Sequence, residues 1–346
     1  MTLQSLIGIE LPIIQAPMAG VQRHALAVAV SNAGGLGSLP CAMLTFESMQ
    51  VELAALRAGT SRPFNVNFFC HVPPVANPDR ERVWRNTLAR YYDEFGLDLS
   101  SIPAGATRAP FGEEAADLLE SIRPAVVSFH FGLPAPSLLA RVKGWGSKIL
   151  ASATTVDESR WLQARGADAI IAQGLEAGGH RGMFLTDDLT TQAGTFALLP
   201  QIVAAVRIPV IAAGGIADAR GVAAAMALGA AGVQVGTAYL LCPQADTSAS
   251  HRAALRSEKA RHTALTNVFT GRPARGIMNR LMSELGPISA LAPEFPLASV
   301  AIGPLRAKAE SLGNRDFSPL WSGQNAAGCR DLPAGQLTRA LAEGLR

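Results

Sequence analysis

The sequence predicts an α/β protein: a TIM (β/α)8 barrel with inserted loops and a small C-terminal cap-like segment. Three observations predict it. Eight short runs rich in Ile and Val, bounded by Gly or Pro, recur along the 346 residues. Such runs read as parallel strands covered on both faces, which lose polar alternation. Amphipathic or Ala-rich helical segments lie between most of them, the alternation expected of β-α units. No GxGxxG opens a helix after the first strand, which argues against a doubly wound open sheet.

The predicted strands are Pro12–Met18, Leu36–Pro40, Phe64–Phe69, Ala125–Phe131, Lys148–Thr154, Ala169–Gln173, Pro209–Ala213 and Gly232–Leu240. The predicted helices are His24–Asn32, Phe46–Ala58, Glu113–Ile122, Ser137–Val142, Val156–Arg165, Phe196–Val206 and Asp218–Leu228. Gly34, Gly166 and Gly229 each stand just past a last helical turn, where a left-handed residue closes the helix without a Cβ penalty. Thr155 and Asp218 stand where a side-chain oxygen caps exposed amides. Two long intervals leave room for an insertion around Pro73–Phe111 and a loop around Gly174–Gly194. Residues 1–242 are therefore read as the barrel core and 243–320 as a cap-like insertion. Residues 321–346 supply a C-terminal helix that completes the barrel. Within the tail, His251–His262 reads as a surface helix and Glu294–Ser311 as loop then helix.

Composition excludes several classes. Half the chain is hydrophobic (49%) and only 16% is charged, against about 25% charged in a typical domain. Mean hydropathy is +0.21, so this is not a disordered chain. A net charge of +3, with no Lys/Arg-rich run, argues against nucleic acid as a partner. Cys41, Cys70, Cys242 and Cys329 are far apart and form no zinc spacing, so no metal is expected. Cys70 is the single candidate for a reactive thiol. The first residues lack the basic and apolar regions of a signal peptide. The uncharged run Gly221 to Ala245 is long enough to cross a bilayer, but its glycines, Gln234 and Pro243 divide it into a helix and a strand. A cytoplasmic protein without membrane attachment, monomer or homodimer, is expected.

In such barrels the active site lies at the C-terminal strand ends. Strand seven ends at Gly214-Gly215-Ile216 and strand eight at Gln234-Val235-Gly236-Thr237. Glycine backbone and a short helix N-terminus there suit a phosphate group, the alternative being tight turns alone. After strand six, His180 is embedded among Gly178, Gly179 and Gly182, where a flat ring can approach and a histidine can act as a base. Glu176 and Asp187-Asp188 read as solvated charges. His130 and the adjoining Phe131, at the mouth of strand four, are candidate substrate contacts, with a satisfied core histidine as the competing reading of His130. Asn67 offers an amide beside a heterocycle. Ala16, Pro17 and Met18 can cover an apolar ring face, Met18 also meeting substrate. His24, His71, His251 and His262 read as surface or core residues. On residues alone this is a barrel enzyme with a phosphate-bearing cofactor or substrate. A ligand-binding protein and a sugar-phosphate isomerase remain alternatives.

At these motifs the sequence resembles the nitronate monooxygenase family. The matching strings are Gln15-Ala-Pro-Met-Ala-Gly20, Asn32-Ala-Gly-Gly-Leu-Gly37, Phe64-Asn-Val-Asn67, Ser128-Phe-His-Phe-Gly132, Ala172-Gln-Gly-Leu-Glu-Ala-Gly-Gly-His-Arg-Gly182, Ala212-Ala-Gly-Gly-Ile-Ala217, Gly232-Val-Gln-Val-Gly-Thr237, Phe269-Thr-Gly-Arg-Pro-Ala-Arg-Gly276 and Leu320-Trp-Ser-Gly-Gln324. They run in family order across nearly the whole chain. The resemblance implies non-covalent FMN, its phosphate on Gly214, Gly215, Gly236 and Thr237. Ala16, Pro17, Met18, Asn67, Gln173, Gly178, Gly179 and Gln234 would surround the rest of it. It implies His180 as catalytic base, His130 as a substrate contact, and oxidation of a nitronate or nitroalkane by dioxygen to a carbonyl compound and nitrite. An NAD(P)H-dependent flavin reductase of the same barrel type is the rival. In one respect the chain departs from some members, in which a Tyr and a Lys of the C-terminal segment belong to the site: no Tyr follows Tyr239, and the matching stretch offers Phe295 and Lys308.

Overall fold

A computed structural model describes residues 2–75, 77–103 and 108–345; Ala76 and residues 104–107 of the predicted insertion lie outside the described residues. In chain order the strands are β1 (Ile13–Gln15), β2 (Gly37–Pro40), β3 (Phe64–Phe69), β4 (Val126–His130), β5 (Lys148–Ala153), β6 (Ala169–Gln173), β7 (Gly179–His180), β8 (Val210–Ala213), β9 (Gly232–Val235), β10 (Thr263–Thr266) and β11 (Ala274–Ile277). The helices are α1 (Leu3–Ile7), α2 (His24–Asn32), α3 (Phe46–Gly59), α4 (Pro78–Glu94), α5 (Glu113–Ile122), α6 (Pro136–Gly144), α7 (Val156–Ala164), α8 (Thr195–Ala205), α9 (Ala219–Ala227), α10 (Ala249–Leu255), α11 (Arg280–Glu284), α12 (Ala298–Ser311) and α13 (Ala334–Ala342).

Eight strands pair in parallel in the order β1-β9-β8-β6-β5-β4-β3-β2. A parallel bridge between Ile14 and Leu36 closes β1 onto β2, making the barrel. Alternate residues of the strands face inward, and Ile14, Leu36, Val126, Leu150, Ile171 and Ile211 pack together. The short helix α1, which has no clear signature in the sequence, adds Leu3 and Ile7 to this cluster. It sits at the start of the strands: a Cβ on Gly232 would lie 2.6 Å from Leu3. Burying such an aliphatic side chain contributes about 1.5–3 kcal/mol.

Helix ends follow the local chemistry. Thr155 accepts from the Glu158 amide and Asp218 from the Gly221 amide. Gly34, Gly166 and Gly229 have φ of 92–93°, the left-handed conformation that lets the chain leave the helix. Strand eight is shorter than predicted. After Val235 the chain turns at Gly236 into a 3-10 helix, Thr237–Leu241, because Leu240 and Leu241 pack into a separate cluster with Leu255 and Ile277. The Tyr239 hydroxyl is anchored 2.9 Å from Thr338 of α13. The strand propensity of this run loses to tertiary packing.

The expected surface helix His251–His262 is also revised. It divides into α10 and a 3-10 turn at Glu258–Arg261, and His251 is buried at 4% exposure. Further on, α12 packs against α4 of the Pro73–Phe111 insertion. Trp84 Nε1 donates to the Ala298 carbonyl at 3.2 Å and the Tyr92 hydroxyl to the Ala301 carbonyl at 2.6 Å. Around them Leu88, Leu305 and Phe317 form a core outside the barrel. The sequence places these two segments apart; packing makes them one layer. Among the described residues no helix is long and apolar enough to cross a membrane.

Candidate active site

A cavity, partly open to solvent, lies at the C-terminal ends of the strands. Its walls include Ala16, Pro17, Met18, Asn67, His130, Gln173, Gly178, Gly179, His180, Gly214, Gly215, Gln234, Gly236 and Thr237. All of these were singled out in the sequence. Phe131 differs: it is buried at 3% exposure behind His130 and does not line the cavity. Its backbone has φ 70°, and its ring packs against Phe69 at 4.9 Å. It shapes the wall from behind.

One end of the cavity is backbone. Gly214 (φ 117°) and Gly215 (φ 74°) turn the chain out of β8 through conformations that a side chain rarely adopts. A Cβ on Gly214 would lie 2.9 Å from the Thr195 hydroxyl, and one on Gly178 only 2.5 Å from the Gly323 amide. The strap that crosses here, Trp321–Asn325, carries no assigned role in the sequence reading. It is fastened by Gly323 N–H to Thr237 Oγ1 (2.9 Å), Gln324 N–H to the Glu176 carbonyl (3.0 Å) and Asn325 Nδ2 to the Gly215 carbonyl (2.9 Å).

Glu176 is not the solvated charge expected. Its carboxylate accepts from the Thr195 amide and hydroxyl, each at 2.8 Å, and so braces the start of α8. Asp218 caps the first turn of α9, whereas the 3-10 helix Thr237–Leu241 starts at Gly236, in the cavity wall, with no side-chain cap. This end is strand-end backbone together with the start of that short helix.

On the cavity wall, Gln234 presents a buried Oε1 with no hydrogen-bond partner among the described residues. An unmatched buried acceptor costs on the order of 1–3 kcal/mol, so it points to a ligand N–H or O–H. On the facing side, Asn67 Nδ2 is committed to Ser128 at 2.9 Å. The Ala16–Met18 segment is shaped by buried amides. Gln22 Oε1 accepts from Gln15 Nε2 (2.6 Å) and the Met18 amide (2.9 Å), and Gln22 Nε2 donates to the Ser38 carbonyl (2.6 Å).

The other end is side chains. His180 stands on β7, which pairs antiparallel with β11 so that His180 opposes Ala274. It is therefore held in a ladder, not carried on a free loop. Its Nε2 lies 2.9 Å from Thr270 Oγ1, and the Thr270 hydroxyl lies 3.3 Å from the Arg272 carbonyl. A carbonyl only accepts, so the hydroxyl donates there and accepts from His180 Nε2–H. That leaves Nδ1 with the lone pair.

The neighbouring His130 has both ring nitrogens engaged. Its Nε2 donates to the His180 carbonyl at 3.2 Å, and Nδ1 accepts from Ser152 at 3.0 Å. Gln173 Nε2 donates to the same carbonyl (3.0 Å), and its Oε1 accepts from the Gly182 amide (2.7 Å). His130 and Gln173 thus hold the backbone of His180. Fully buried Arg181 continues the clamp with 2.7 Å bonds to the Gln173 and Gly174 carbonyls.

Burial holds His180 well below the usual imidazole range; repulsion from Arg108 and Arg272, and from His130 and His71 whenever these are protonated, lowers it further. Burial pushes His130 down to about 4. At neutral pH both rings are neutral. Phe295 stacks edge-on against His180 at 5.4 Å, and Trp321 lies 5.5 Å from it. Lys308 is exposed on α12 and takes no part in the wall. Residues that sequence reasoning missed are Arg108, Phe69, His251 and Trp321, all in the wall. His251 Nε2 donates to the Trp321 carbonyl at 3.1 Å, which a lone histidine in sequence does not signal. Burial raises the Cys70 thiol far above neutrality, the opposite of the lowered thiol that nucleophilic chemistry uses.

Comparison with known proteins gives consistent matches. The family model described as nitronate monooxygenase matches residues 1–344. The chain is 44% identical to the nitronate monooxygenase of Pseudomonas aeruginosa, covering 99% of this chain and 98% of that protein. To that of Paraburkholderia phytofirmans it is 43% identical, over 99% and 94%. Among solved structures, a nitroalkane oxidase from Streptomyces ansochromogenes superposes with TM-score 0.90 at 38% identity, covering 99% of this chain and 97% of that one. FabK from Thermotoga maritima is more distant, with TM-score 0.74 at 27% identity over 99% and 96%.

Proposed function

The chain belongs to the nitronate monooxygenase family, and from that premise we propose that this oxidoreductase converts alkyl nitronates to carbonyl compounds and nitrite with FMN and dioxygen. The observation that carries this reading is one cavity with two unlike ends: glycine backbone at one, and a neutral, partly buried histidine among cations at the other.

The residues present fit FMN. The unmatched Gln234 Oε1 offers an acceptor to a ring N–H. Gly214, Gly215, Gly236 and Thr237 offer uncrowded backbone and a hydroxyl to a phosphate. Ala16, Pro17 and Met18 cover an apolar face, with Asn67, Gln173, Gly178 and Gly179 completing the enclosure. When bound, FMN supplies the electron transfer that the side chains here lack.

The chain's own work is binding and proton handling. His180 Nδ1 takes the α-proton of a neutral nitroalkane, while Thr270 holds the Nε2–H and so fixes the tautomer. General-base help of this kind is worth ~10²–10⁴-fold. A base held far below the usual range is a weak one. It gains strength only as negative charge enters the cavity and offsets Arg108 and Arg272. This favours the preformed nitronate, already an anion, over the neutral nitroalkane. His130, with both nitrogens committed, positions the His180 backbone and presents a ring edge to the substrate.

The test is spectroscopic. Purified protein is expected to carry, or to take up, a yellow chromophore, and to lose that colour anaerobically on mixing with ethyl nitronate. A colourless protein that ignores added FMN overturns the reading. So does rapid bleaching by NAD(P)H alone, which would indicate a reductase.

A further inference from the structure

Among the described residues, the cavity wall holds one cation with no assigned task. Arg108 lies on the segment inserted between β3 and α5 and lines the same wall as His180. Its guanidinium sits 5.3 Å from the centre of the Phe295 ring, the ring that His180 meets at 5.4 Å. The two groups therefore share one aromatic neighbour. Among the described residues, Arg108 has no carboxylate partner, in contrast to Arg80, Arg90 and Arg280 of the same outer layer, all of which are ion-paired.

Apart from His180, whose Nδ1 is left to the substrate, the other ionisable groups in the wall are committed: Glu176 to Thr195, His130 to Ser152 and the His180 carbonyl, His251 to the Trp321 carbonyl. Burial lowers Arg108 to about 10, so it stays charged at neutral pH. Arg272 adds a second positive charge, but its guanidinium is spent on the Met183 carbonyl and the Phe131 ring. A partly desolvated cation left without a counter-ion is costly in the empty pocket and favourable once an anion arrives. The glycine end suits the phosphate, so the anion at this end is a different one.

We propose that Arg108 is the substrate anchor, its planar fork pairing with the two oxygens of the nitronate group and setting the adjacent carbon beside His180. The anchor rests on the nitronate reading above. A guanidinium matches two coplanar oxygens in a way that an ammonium does not. The preference is therefore for small, flat, delocalised oxyanions over neutral nitro compounds.

Inorganic nitrate, a flat three-oxygen anion, is the probe. Calorimetric titration of the FMN-loaded protein is expected to show nitrate binding that weakens at least ~10-fold in Arg108→Met, as for loss of a charge-assisted bond. Arg108→Lys is expected to fall between the two, with flavin content and thermal unfolding unchanged in both. In the same variants the KM for ethyl nitronate rises by a similar factor while kcat moves less. Unaltered nitrate affinity in Arg108→Met, or no nitrate binding by the parent protein, overturns the anchor. Nitrate binding that depends on Arg108 in a protein that leaves nitronate untouched keeps the anion site and rejects the proposed activity. Oxidation of nitronate that Arg108→Met leaves unchanged does the reverse.

Discussion

At the glycine end of the cavity the wall is main chain. Gly178, Gly214, Gly215 and Gly236 expose amides and carbonyls, and the neighbouring side chains, Thr195, Glu176 and Asn325, brace loops. At the histidine end the wall is side chain: His180, His130, Phe69, Arg108 and Trp321. The first end achieves recognition by having nothing in the way. The second achieves chemistry by placing groups whose charge and proton are controlled by neighbours from distant parts of the chain. The two should therefore fail differently. Damage to the first should release the cofactor, and damage to the second should leave the cofactor bound and slow the reaction.

The sharpest test of that division is His180→Ala. Turnover of neutral nitroethane is expected to fall ~10²–10⁴-fold, with oxidation of ethyl nitronate far less affected and flavin content normal. Equal losses on both substrates in steady-state assays would remove the base role. Next in size is Gly214→Ala. Its φ of 117° and the 2.9 Å approach to Thr195 impose on the order of 1–3 kcal/mol of strain. FMN affinity, followed by flavin fluorescence, should weaken ~10- to 100-fold, while kcat of the saturated protein changes little.

Thr270→Val removes the acceptor for His180 Nε2–H and frees the tautomer. We expect nitroethane turnover to drop by roughly tenfold, the free-energy equivalent of one hydrogen bond. Thr270→Ser should restore it, and the pH–rate profile should shift in the valine variant alone. Lys308→Ala is the smallest: exposed and outside the wall, it should leave kcat/KM within about twofold, as usual for a surface change. A larger loss would mean that the C-terminal layer reaches the substrate.

Acid stability tests the same contrast at the level of the whole fold. Burial lowers His71, His130 and His251 to about 4, and His180 well below its ordinary 6.5. Above pH 6.5 these rings are neutral in both folded and unfolded chains and contribute no pH dependence. As pH falls from 6.5 towards 4, the unfolded chain takes up protons that the folded one refuses. Stability therefore declines across that window. Thermal unfolding at pH 7.5, 6.0 and 5.0 should show a falling Tm; a flat profile would mean that the histidine end is more open to water than its burial indicates.

Much of this molecule is legible in the sequence, and the glycine end most of all. Strand β3 and strand β6 have the predicted limits, and Gly214, Gly215 and Gly236 lie where strand ends must be. Glu176 and His251 show where reading stops. A charge in a Gly-rich loop looks solvated until α8 is folded against it. A histidine in a polar tail looks superficial until Trp321 arrives from seventy residues away in the chain. His180 itself was found, but its placement on β7 was not, because the partner β11 begins at Ala274.

What the sequence by itself determined is local: the period of apolar residues, the glycines that permit left-handed turns, the capping side chains, and hence a barrel with an open backbone cradle at one end of its strands. These depend on conformational preferences within a few residues. What only the tertiary structure decided is the electrostatic setting of His180. Thr270, Arg108, Phe295 and Trp321 come to it from the insertion and the tail. Their effect on a proton depends on distance and desolvation, quantities that exist only once the chain has closed around them.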